Sequence, residues 1–135
     1  MNASDSTSSV ARKSVAAGYV LTALVALFLT FDTVLKVLTL APAVQGTTDL
    51  GYPAGTVLPI GVIELVCLGL YLVPRTSVLG ALLLTGYLGG AIATHVRTSS
   101  PLLSHTLFPI YVACLVWGGL YLREPRLQAL VPFRR

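Results

Sequence analysis

The sequence predicts an all-α fold, a polytopic membrane four-helix bundle. Hydrophobic residues make up 55% of the 135-residue chain and charged residues only 10%, with a mean hydropathy of +0.82, whereas about 25% of the residues of a soluble domain are charged. Four stretches are long and apolar enough to cross a ~30 Å hydrocarbon core, which takes ~20 residues: 15–40, 57–73, 77–96 and 102–122. We therefore expect one compact bundle over residues 15–122 and no separate soluble domain.

The N-terminal segment and the first span are distinguished by composition. Residues 1–14 are rich in Ser, Thr and Asn and have no apolar periodicity, so we expect a disordered cytoplasmic tail. The apolar run that follows could belong to a signal peptide, because two basic residues precede it and residues 41–43 resemble a cleavage site. That run is too long for a signal peptide, however, and it contains Asp32 and Lys36. We therefore expect it to remain as a membrane helix.

Proline and glycine mark the connections between the spans. Residues 41–56 contain two prolines and three glycines, which indicate turns rather than a regular element, and we expect this loop to fold over the outer end of the bundle. A tight turn at Pro74 predicts that spans two and three form an antiparallel hairpin. Pro101 suits the first turn of the fourth helix. Pro109 lies inside that helix, where it either kinks the helix or is simply tolerated, as prolines often are in membrane helices.

The distribution of basic residues predicts the orientation of the bundle. The net charge is +4, and the side that holds both termini and the turn after span two carries most of the basic residues: Arg12, Lys13, Arg75, Arg123, Arg126, Arg134 and Arg135. The other side has only Arg97 outside the spans. The positive-inside rule therefore predicts cytoplasmic termini. We expect residues 123–135 to be a basic tail on anionic headgroups, and we do not expect nucleic acid as a partner.

Small residues and cysteines within the spans have structural interpretations. Gly86 and Gly90 form a GxxxG pair, which allows another helix to approach closely. We interpret this pair as packing inside the bundle, with a homo-oligomer through the same glycines as the alternative. Cys67 and Cys114 lie deep in their spans without a CxxC arrangement, so we expect free thiols that behave as small apolar residues.

Ionisable residues within the spans predict a functional site. Such groups cost roughly 2.5–3.5 kcal/mol each at a helix centre, so their first interpretation is functional. At 1.5 Å per residue, Asp32 and Glu64 should lie roughly 9 and 10 Å below the outer edge. Lys36 follows Asp32 by one turn on the same helix face and should keep it ionised, which leaves Glu64 as the better proton-handling candidate. Three further groups lie near the outer side: His95, Arg97 and His105.

Two interpretations of these groups remain open. One is a structural ion-pair network, although buried ion pairs are weak evidence of stabilisation. The other is a pocket for proton transfer, with Glu64, Asp32 and His95 as candidate catalytic residues. The candidate substrate-binding residues are then Lys36, Arg97 and His105. No metal-binding motif is present in the sequence, because two histidines on separate helices do not make one.

Several segments resemble one known family. They are Leu50-Gly51-Tyr52-Pro53, Gly61-Val62-Ile63-Glu64-Leu65, Pro74-Arg75-Thr76, Gly86-Tyr87-Leu88 followed by Gly89-Gly90-Ala91-Ile92-Ala93-Thr94-His95-Val96-Arg97, and Trp117-Gly118-Gly119-Leu120-Tyr121-Leu122-Arg123. Over about residues 16–130 the chain is similar to the DoxX-like family of small bacterial four-helix membrane proteins. The resemblance implies a multi-pass protein of the bacterial cytoplasmic membrane. It also implies that Asp32, Lys36, Glu64, His95 and Arg97 occupy the family's polar positions.

Three classes of function are compatible with the sequence. Relatives are linked by name to a thiosulfate:quinone oxidoreductase and to oxidative-stress membrane complexes, so the resemblance implies a redox component, with quinone as a possible cofactor and a membrane or redox protein as partner. No flavin, haem or iron–sulfur signature is present in the sequence. The second class is a cofactor-free isomerase, cyclase or hydrolase that uses Asp32 and Glu64 as acid and base on a small lipophilic substrate. The third is a non-catalytic assembly subunit.

Overall fold

Six α-helices form the part of the chain that the structure, a computed structural model, describes, residues 3–131. They are α1 (Ala3–Val37), α2 (Ala41–Asp49), α3 (Val57–Leu72), α4 (Ser77–Arg97), α5 (Phe108–Arg123) and α6 (Pro125–Leu130). A 3-10 turn, Ala54–Thr56, leads into α3, and a π-helical segment, Leu102–Thr106, precedes α5. No strand occurs between residues 3 and 131. The predicted all-α fold is confirmed.

Four helical segments have the length and hydropathy to cross a membrane. They are Ser6–Val37, Ala54–Leu72, Ser77–Arg97 and Leu102–Arg123, close to the four predicted spans. The short helices α2 and α6 lie between or after these segments. The prediction of four spanning helices is therefore confirmed, and the protein is a multi-pass membrane protein.

The four long helices form a ring. α1 packs against α3 and α5, and α4 packs against the same two helices from the other side. Their shared core includes Val25, Leu29, Leu84, Val116 and Leu120, each at most 2% exposed. Many other large apolar side chains point outward. An apolar exterior around an apolar core is expected of a bundle whose solvent is lipid.

The bundle has two ends that differ in composition. We call the end with residues 38–56 and 98–107 the loop end, and the end with the α3–α4 turn, α6 and the N-terminal part of α1 the terminal end. The helices alternate in direction, so α1 and α4 run toward the loop end while α3 and α5 run away from it. The charged residues Asp32, Lys36 and Glu64 lie in the half nearer the loop end.

Glycines allow close helix contacts at three places. A Cβ atom on Gly80 would lie 2.1 Å from the backbone nitrogen of Tyr71, so α3 and α4 touch near the terminal end. A Cβ on Gly61 would lie 2.7 Å from that of Lys36, and one on Gly18 would lie 2.9 Å from the carbonyl oxygen of Gly119. These contacts join α1 to α3 and to α5, because only a missing side chain permits such short separations.

Gly86 and Gly90 do not have this role. No described atom other than those of their own helix lies within 4 Å of the position that a Cβ would take on either residue. Our interpretation of the GxxxG pair as packing inside the bundle is therefore wrong. The physical reason is that α3 and α4 make their backbone contact at Gly80, near the turn that joins them, and not at the GxxxG pair farther along α4.

The N-terminal segment also differs from expectation. Residues 3–14, expected to be disordered, belong to α1 in the structure, while Met1 and Asn2 lie outside the described residues. No proline or glycine occurs between Ala3 and Gly18. The helix therefore meets no strong breaker and extends beyond the membrane span. At the C-terminal end, the tail expected from residue 123 contains the short helix α6, and residues 132–135 lie outside the described part.

The connection between the first two spans contains a helix where we expected turns. α2 has Pro42 in its first turn, where the missing N–H of proline costs no helical hydrogen bond. α1 itself ends at Val37, three residues earlier than the predicted span, and Thr39 has a positive φ of 50°. Proline thus begins a helix here, although its presence in this connection suggested turns.

Pro109 likewise lies at the start of a regular α-helix, directly after a bend at Leu107 within the fourth span. It lies in the first turn of α5, where it needs no N–H donor. The preceding π-helical segment and the residue Leu107 separate it from α4. A proline in the middle of a helix would clash with the carbonyl four residues earlier. That clash is avoided because the regular α-helix starts only at Phe108.

Candidate functional site

Lys36 joins three of the four long helices through its ammonium group. Its Nζ donates a hydrogen bond to the carboxylate of Asp32, one turn earlier in α1. The same Nζ donates to Oε2 of Glu64 on α3 at 2.8 Å and to the hydroxyl of Tyr87 on α4 at 2.9 Å. The Tyr87 hydroxyl in turn donates to Glu64 Oε2 at 2.9 Å. We call these four residues the polar cluster.

Local packing explains why the polar cluster forms. Asp32 and Lys36 are four residues apart, so their side chains lie on one face of α1. Gly61 lies one turn before Glu64 and packs directly against Lys36, because its missing side chain lets α1 and α3 approach. The lysine side chain is thereby held within reach of the Glu64 carboxylate.

Glu64 has one carboxylate oxygen fully engaged and one without a partner. Its side chain is 0% exposed, whereas that of Asp32 is 35% exposed. Oε2 receives both hydrogen bonds of the polar cluster, and Oε1 has no hydrogen-bond partner among the described residues. A buried polar atom without a partner costs roughly 1–3 kcal/mol, and more when it is charged. Such an atom calls for an explanation, such as a catalytic role or a bound molecule.

A cavity of about 420 Å³ lies beside the polar cluster, and all four residues of the cluster form part of the cavity wall. Most of the remaining wall is apolar and comes from all four long helices: Phe28, Leu29, Ile60, Ile63, Leu88, Ala91, Phe108, Pro109 and Val112. Sites for small molecules are typically cavities of about 300–1,000 Å³, mostly apolar, with a few convergent polar groups. The cavity has the size and composition of such a site.

The connection between α1 and α3 covers the cavity at the loop end. Thr47, Leu50 and Tyr52 form part of its wall. The Tyr52 hydroxyl and Thr94 Oγ1 are hydrogen-bonded at 2.9 Å, and Arg97 Nη2 donates to the carbonyl of Leu50 at 2.7 Å. The Arg97 guanidinium also lies 5.8 Å from the ring centre of Tyr52. Two residues of α4 therefore hold this connection in place over the bundle.

The two histidines lie near the loop end and meet each other. His95 lines the cavity, and its Nδ1 is hydrogen-bonded to Ser100 Oγ at 3.1 Å. The rings of His95 and His105 pack edge to face, with centroids 5.8 Å apart. His105 Nδ1 is bonded to the neighbouring Ser104 Oγ at 2.8 Å. Within residues 3–131, no hydrogen bond links either histidine to the polar cluster.

The family model of the DoxX-like family matches residues 20–119. This chain belongs to the DoxX-like family. Neither the curated proteins nor the solved structures gave a match, so the assignment rests on the family model. The matched range of this DoxX-like protein includes all of α3 and α4 and every residue of the polar cluster.

The structure places the six candidate residues of this DoxX-like protein in two groups. Four of them line the cavity: Asp32, Lys36, Glu64 and His95. Arg97 and His105, expected to bind substrate, do not belong to the cavity wall. Arg97 holds the covering connection through Leu50, and His105 packs on His95. They support the site from outside rather than lining it.

Tyr87 was not predicted as a site residue, and the partner of Glu64 was not identified from the sequence. Tyrosines near helix ends suit interfacial belts, but Tyr87 is ten residues from either end of the 21-residue α4. A phenol at that depth must find a hydrogen-bond partner inside the bundle, and that position is the signal that could have identified it. From the sequence we paired Lys36 with Asp32. In the structure its ammonium donates hydrogen bonds to both carboxylates, because Gly61 lets α3 approach α1 closely.

Proposed function

We propose that this DoxX-like protein binds a small lipophilic molecule in the cavity and that Glu64 exchanges a proton with it. The observation that carries the proposal is the unpartnered Oε1 of a fully buried carboxylate in the cavity wall. A half-satisfied buried carboxylate weakens the fold, and this cost is offset where a ligand completes its hydrogen bonds. A ligand that hydrogen-bonds to Oε1 would complete the coordination of Glu64.

The geometry assigns separate tasks to the two oxygens of Glu64. Lys36 and Tyr87 both donate to Oε2, so they orient the carboxylate and stabilise its negative charge. Oε1 keeps its lone pairs available for a proton, which is the arrangement of a positioned general base. Lys36 and Tyr87 thus orient the base before the ligand arrives, and the fully buried Oε1 needs only a local opening of the cavity wall to accept a hydrogen bond.

The charge of the polar cluster favours proton uptake by Glu64. Asp32 and Glu64, when ionised, carry one more negative charge than Lys36 neutralises. A proton on Glu64 Oε1 removes that excess, and an uncompensated charge is costly in a membrane interior. Asp32, which is partly exposed and bonded to the same ammonium, is the second candidate acid or base. His95 faces the same cavity from α4 and is the third proton-transfer group.

This chemistry serves either of two roles. In a redox complex, Glu64 would accept the proton that a quinol-type carrier releases when a partner protein takes its electrons. In a cofactor-free isomerase, cyclase or hydrolase, Asp32 and Glu64 would act as acid and base on one substrate. The common ammonium of the two carboxylates supports the second role, because it holds both groups at one cavity wall. In both roles the ligand donates to Oε1.

We further propose that the loop end, and with it the cavity, lies in the outer half of the bacterial cytoplasmic membrane. Basic residues of the described chain concentrate at the terminal end: Arg12, Lys13, Arg75, Arg123 and Arg126. At the loop end of the described chain, apart from Lys36 inside the bundle, the only Lys or Arg is Arg97, the last residue of the third span. The positive-inside rule therefore supports cytoplasmic termini.

The test is a paired measurement of ligand retention and stability for Glu64→Gln. The purified protein is examined by native mass spectrometry for small molecules that remain bound, and its melting temperature is recorded. The amide keeps an acceptor for Lys36 and Tyr87 but replaces Oε1 with a group that cannot accept a proton. We expect a melting temperature only a few degrees below that of the wild type and loss of the retained molecule. A variant that retains the molecule as well as the wild type does would refute the proposed role of Glu64.

A further inference from the structure

The route by which a ligand reaches the cavity follows from where the bundle is closed. At the loop end, the Tyr52–Thr94 and Arg97–Leu50 hydrogen bonds tie the covering connection to α4. On the other side, toward the terminal end, fully buried core residues such as Tyr71 fill the bundle. The remaining route for a ligand is therefore through a side of the bundle, between neighbouring helices.

One side of the bundle has wall residues that are both exposed and without close neighbours. Gly86 and Gly90 line the cavity and are also exposed at the surface, and no described atom outside their helix lies within 4 Å of their Cβ positions. Tyr87, which lies between them in the chain, reaches Glu64 on α3, and Gly90, three residues on, lies on an adjoining face of α4. From α3, Ile63 lines the same cavity and is 55% exposed.

The contact between α3 and α4 is therefore uneven along its length. Near the terminal end, Gly80 brings the two backbones together. Nearer the loop end, no described atom outside α4 lies within 4 Å of the Cβ positions of the GxxxG pair, and both glycines line the cavity together with Ile63 of α3. The cavity wall is therefore exposed at the surface of the bundle between these residues. We call the cleft bordered by Ile63, Gly86 and Gly90 the lateral cleft.

We propose that the lateral cleft is the entrance through which a lipophilic phenol, of the alkylphenol or quinol class, passes from the bilayer to Glu64. This inference rests on the proposed function. Two observations determine the ligand class. The ligand must donate, because in the proposed function Glu64 takes a proton from it, and Oε1 of a carboxylate that is still ionised can only accept hydrogen bonds. It must also have an apolar body, because the cavity wall is mostly apolar and the cleft lies on the apolar surface of a membrane protein.

This assignment gives the GxxxG pair a role other than helix packing. Any side chain at residue 86 or 90 would extend into the lateral cleft and narrow it. A second copy of the chain that packed a helix on these glycines would instead cover the cleft. The same glycines cannot border a ligand entrance and pack against a second copy of the chain. The oligomeric state is therefore measured as part of the test.

The probes for the test are 4-nonylphenol and its methyl ether, 4-nonylanisole, in lipid nanodiscs. They differ by the hydroxyl donor that is proposed to reach Glu64 Oε1. We expect the wild type to bind the phenol about tenfold more tightly than the ether, a difference of about 1.4 kcal/mol. The preference should disappear in Glu64→Gln. If the wild type shows no preference, or if the preference persists in Glu64→Gln, the proposed function fails and the entrance fails with it.

The entrance is tested separately by the dissociation rate of the phenol. In Gly86→Leu and Gly90→Leu, dissociation should slow by about tenfold, because a narrower entrance raises the barrier that the ligand crosses when it leaves as well as when it enters. Gly89→Leu is the matched control, because Gly89 is also exposed and also has no described atom within 4 Å of its Cβ position, but it lies outside the cavity wall. If the phenol preference is intact while dissociation from both leucine variants is unchanged or faster, the entrance is refuted and the proposed function stands.

A variant on the opposite border of the lateral cleft tests the entrance even if the glycine variants misfold. Ile63→Trp narrows the lateral cleft from α3, and Val66→Trp is its control, because Val66 is 54% exposed and does not line the cavity. Only Ile63→Trp should slow dissociation. A wild-type dimer that Gly90→Leu converts to a monomer would overturn the entrance, because the cleft would then be a subunit interface.

Discussion

Replacing Lys36 with methionine would remove the one cation that serves both carboxylates. Lys36 donates to Asp32, Glu64 and Tyr87, and methionine has a similar length and flexibility without the charge. The change therefore leaves little new empty space and acts through charge. Glu64, whose side chain is fully buried, cannot turn to solvent. Removing one partner of a buried ion pair destabilises by about 3–5 kcal/mol, and we expect a loss of that size in the free energy of unfolding.

The assay is a double-mutant cycle measured by reversible unfolding in mixed micelles. Glu64→Gln removes the buried charge that Lys36 neutralises and keeps most of the hydrogen bonding, so alone it should cost only about 1–2 kcal/mol. Combined with Lys36→Met, it should restore at least about 2 kcal/mol of the loss, because the two residues are in direct contact. Asp32→Asn should be mild, since Lys36 keeps Glu64 as its partner. A cost for Lys36→Met below about 1 kcal/mol, as for an exposed ion pair, or strict additivity in the double variant, would refute this reasoning.

Three further predictions follow from packing, cysteine placement and charge distribution. Gly80→Ala puts a methyl group 2.1 Å from a backbone nitrogen of α3 and should cost about 1–3 kcal/mol in unfolding free energy. Gly69→Ala is the control: no described atom lies within 4 Å of its Cβ position, so the change should be neutral or slightly stabilising. Equal effects of the two substitutions would contradict the close α3–α4 contact. Cys67 and Cys114 are free thiols, so their double replacement by alanine should leave ligand retention intact, and a folded variant that retains nothing would point to thiol chemistry. Reporter fusions after the last residue and within residues 46–50 should report the cytoplasm and the exterior, and the reverse pattern would invert the proposed orientation.

The spans were predictable because hydropathy summed over about 20 residues is a local property of the chain. The short helix α2 was not, since its proline and glycine suggest turns although Pro42 suits the first turn of a helix. The same ambiguity made a kink at Pro109 one of two expectations. In both cases composition indicated a break in the chain, and the structure shows that the break is the start of a helix.

The site was predictable in depth but not in direction around the helices. Counting residues along α1 and α3 placed Asp32 and Glu64 at one level, and the structure shows them sharing one ammonium. The count says nothing about which face of α4 meets α3, so Tyr87 was missed. It also could not show that Arg97 holds the covering connection, because that role depends on how residues 50–52 fold back over the bundle. Likewise, a GxxxG pattern does not reveal whether its face meets a helix or a cavity.

Infrared difference spectroscopy of ligand binding tests the exchange of a proton at Glu64 most directly. A protonated carboxylic acid has a C=O stretching band that an ionised carboxylate lacks, and the band shifts in D2O. When 4-nonylphenol is added to the wild type, we expect the intensity of this band to change. The same change should occur in Asp32→Asn and should be absent in Glu64→Gln. A spectrum without any carboxylic acid change, or a change that persists in Glu64→Gln, would contradict the proposal that Glu64 handles the proton.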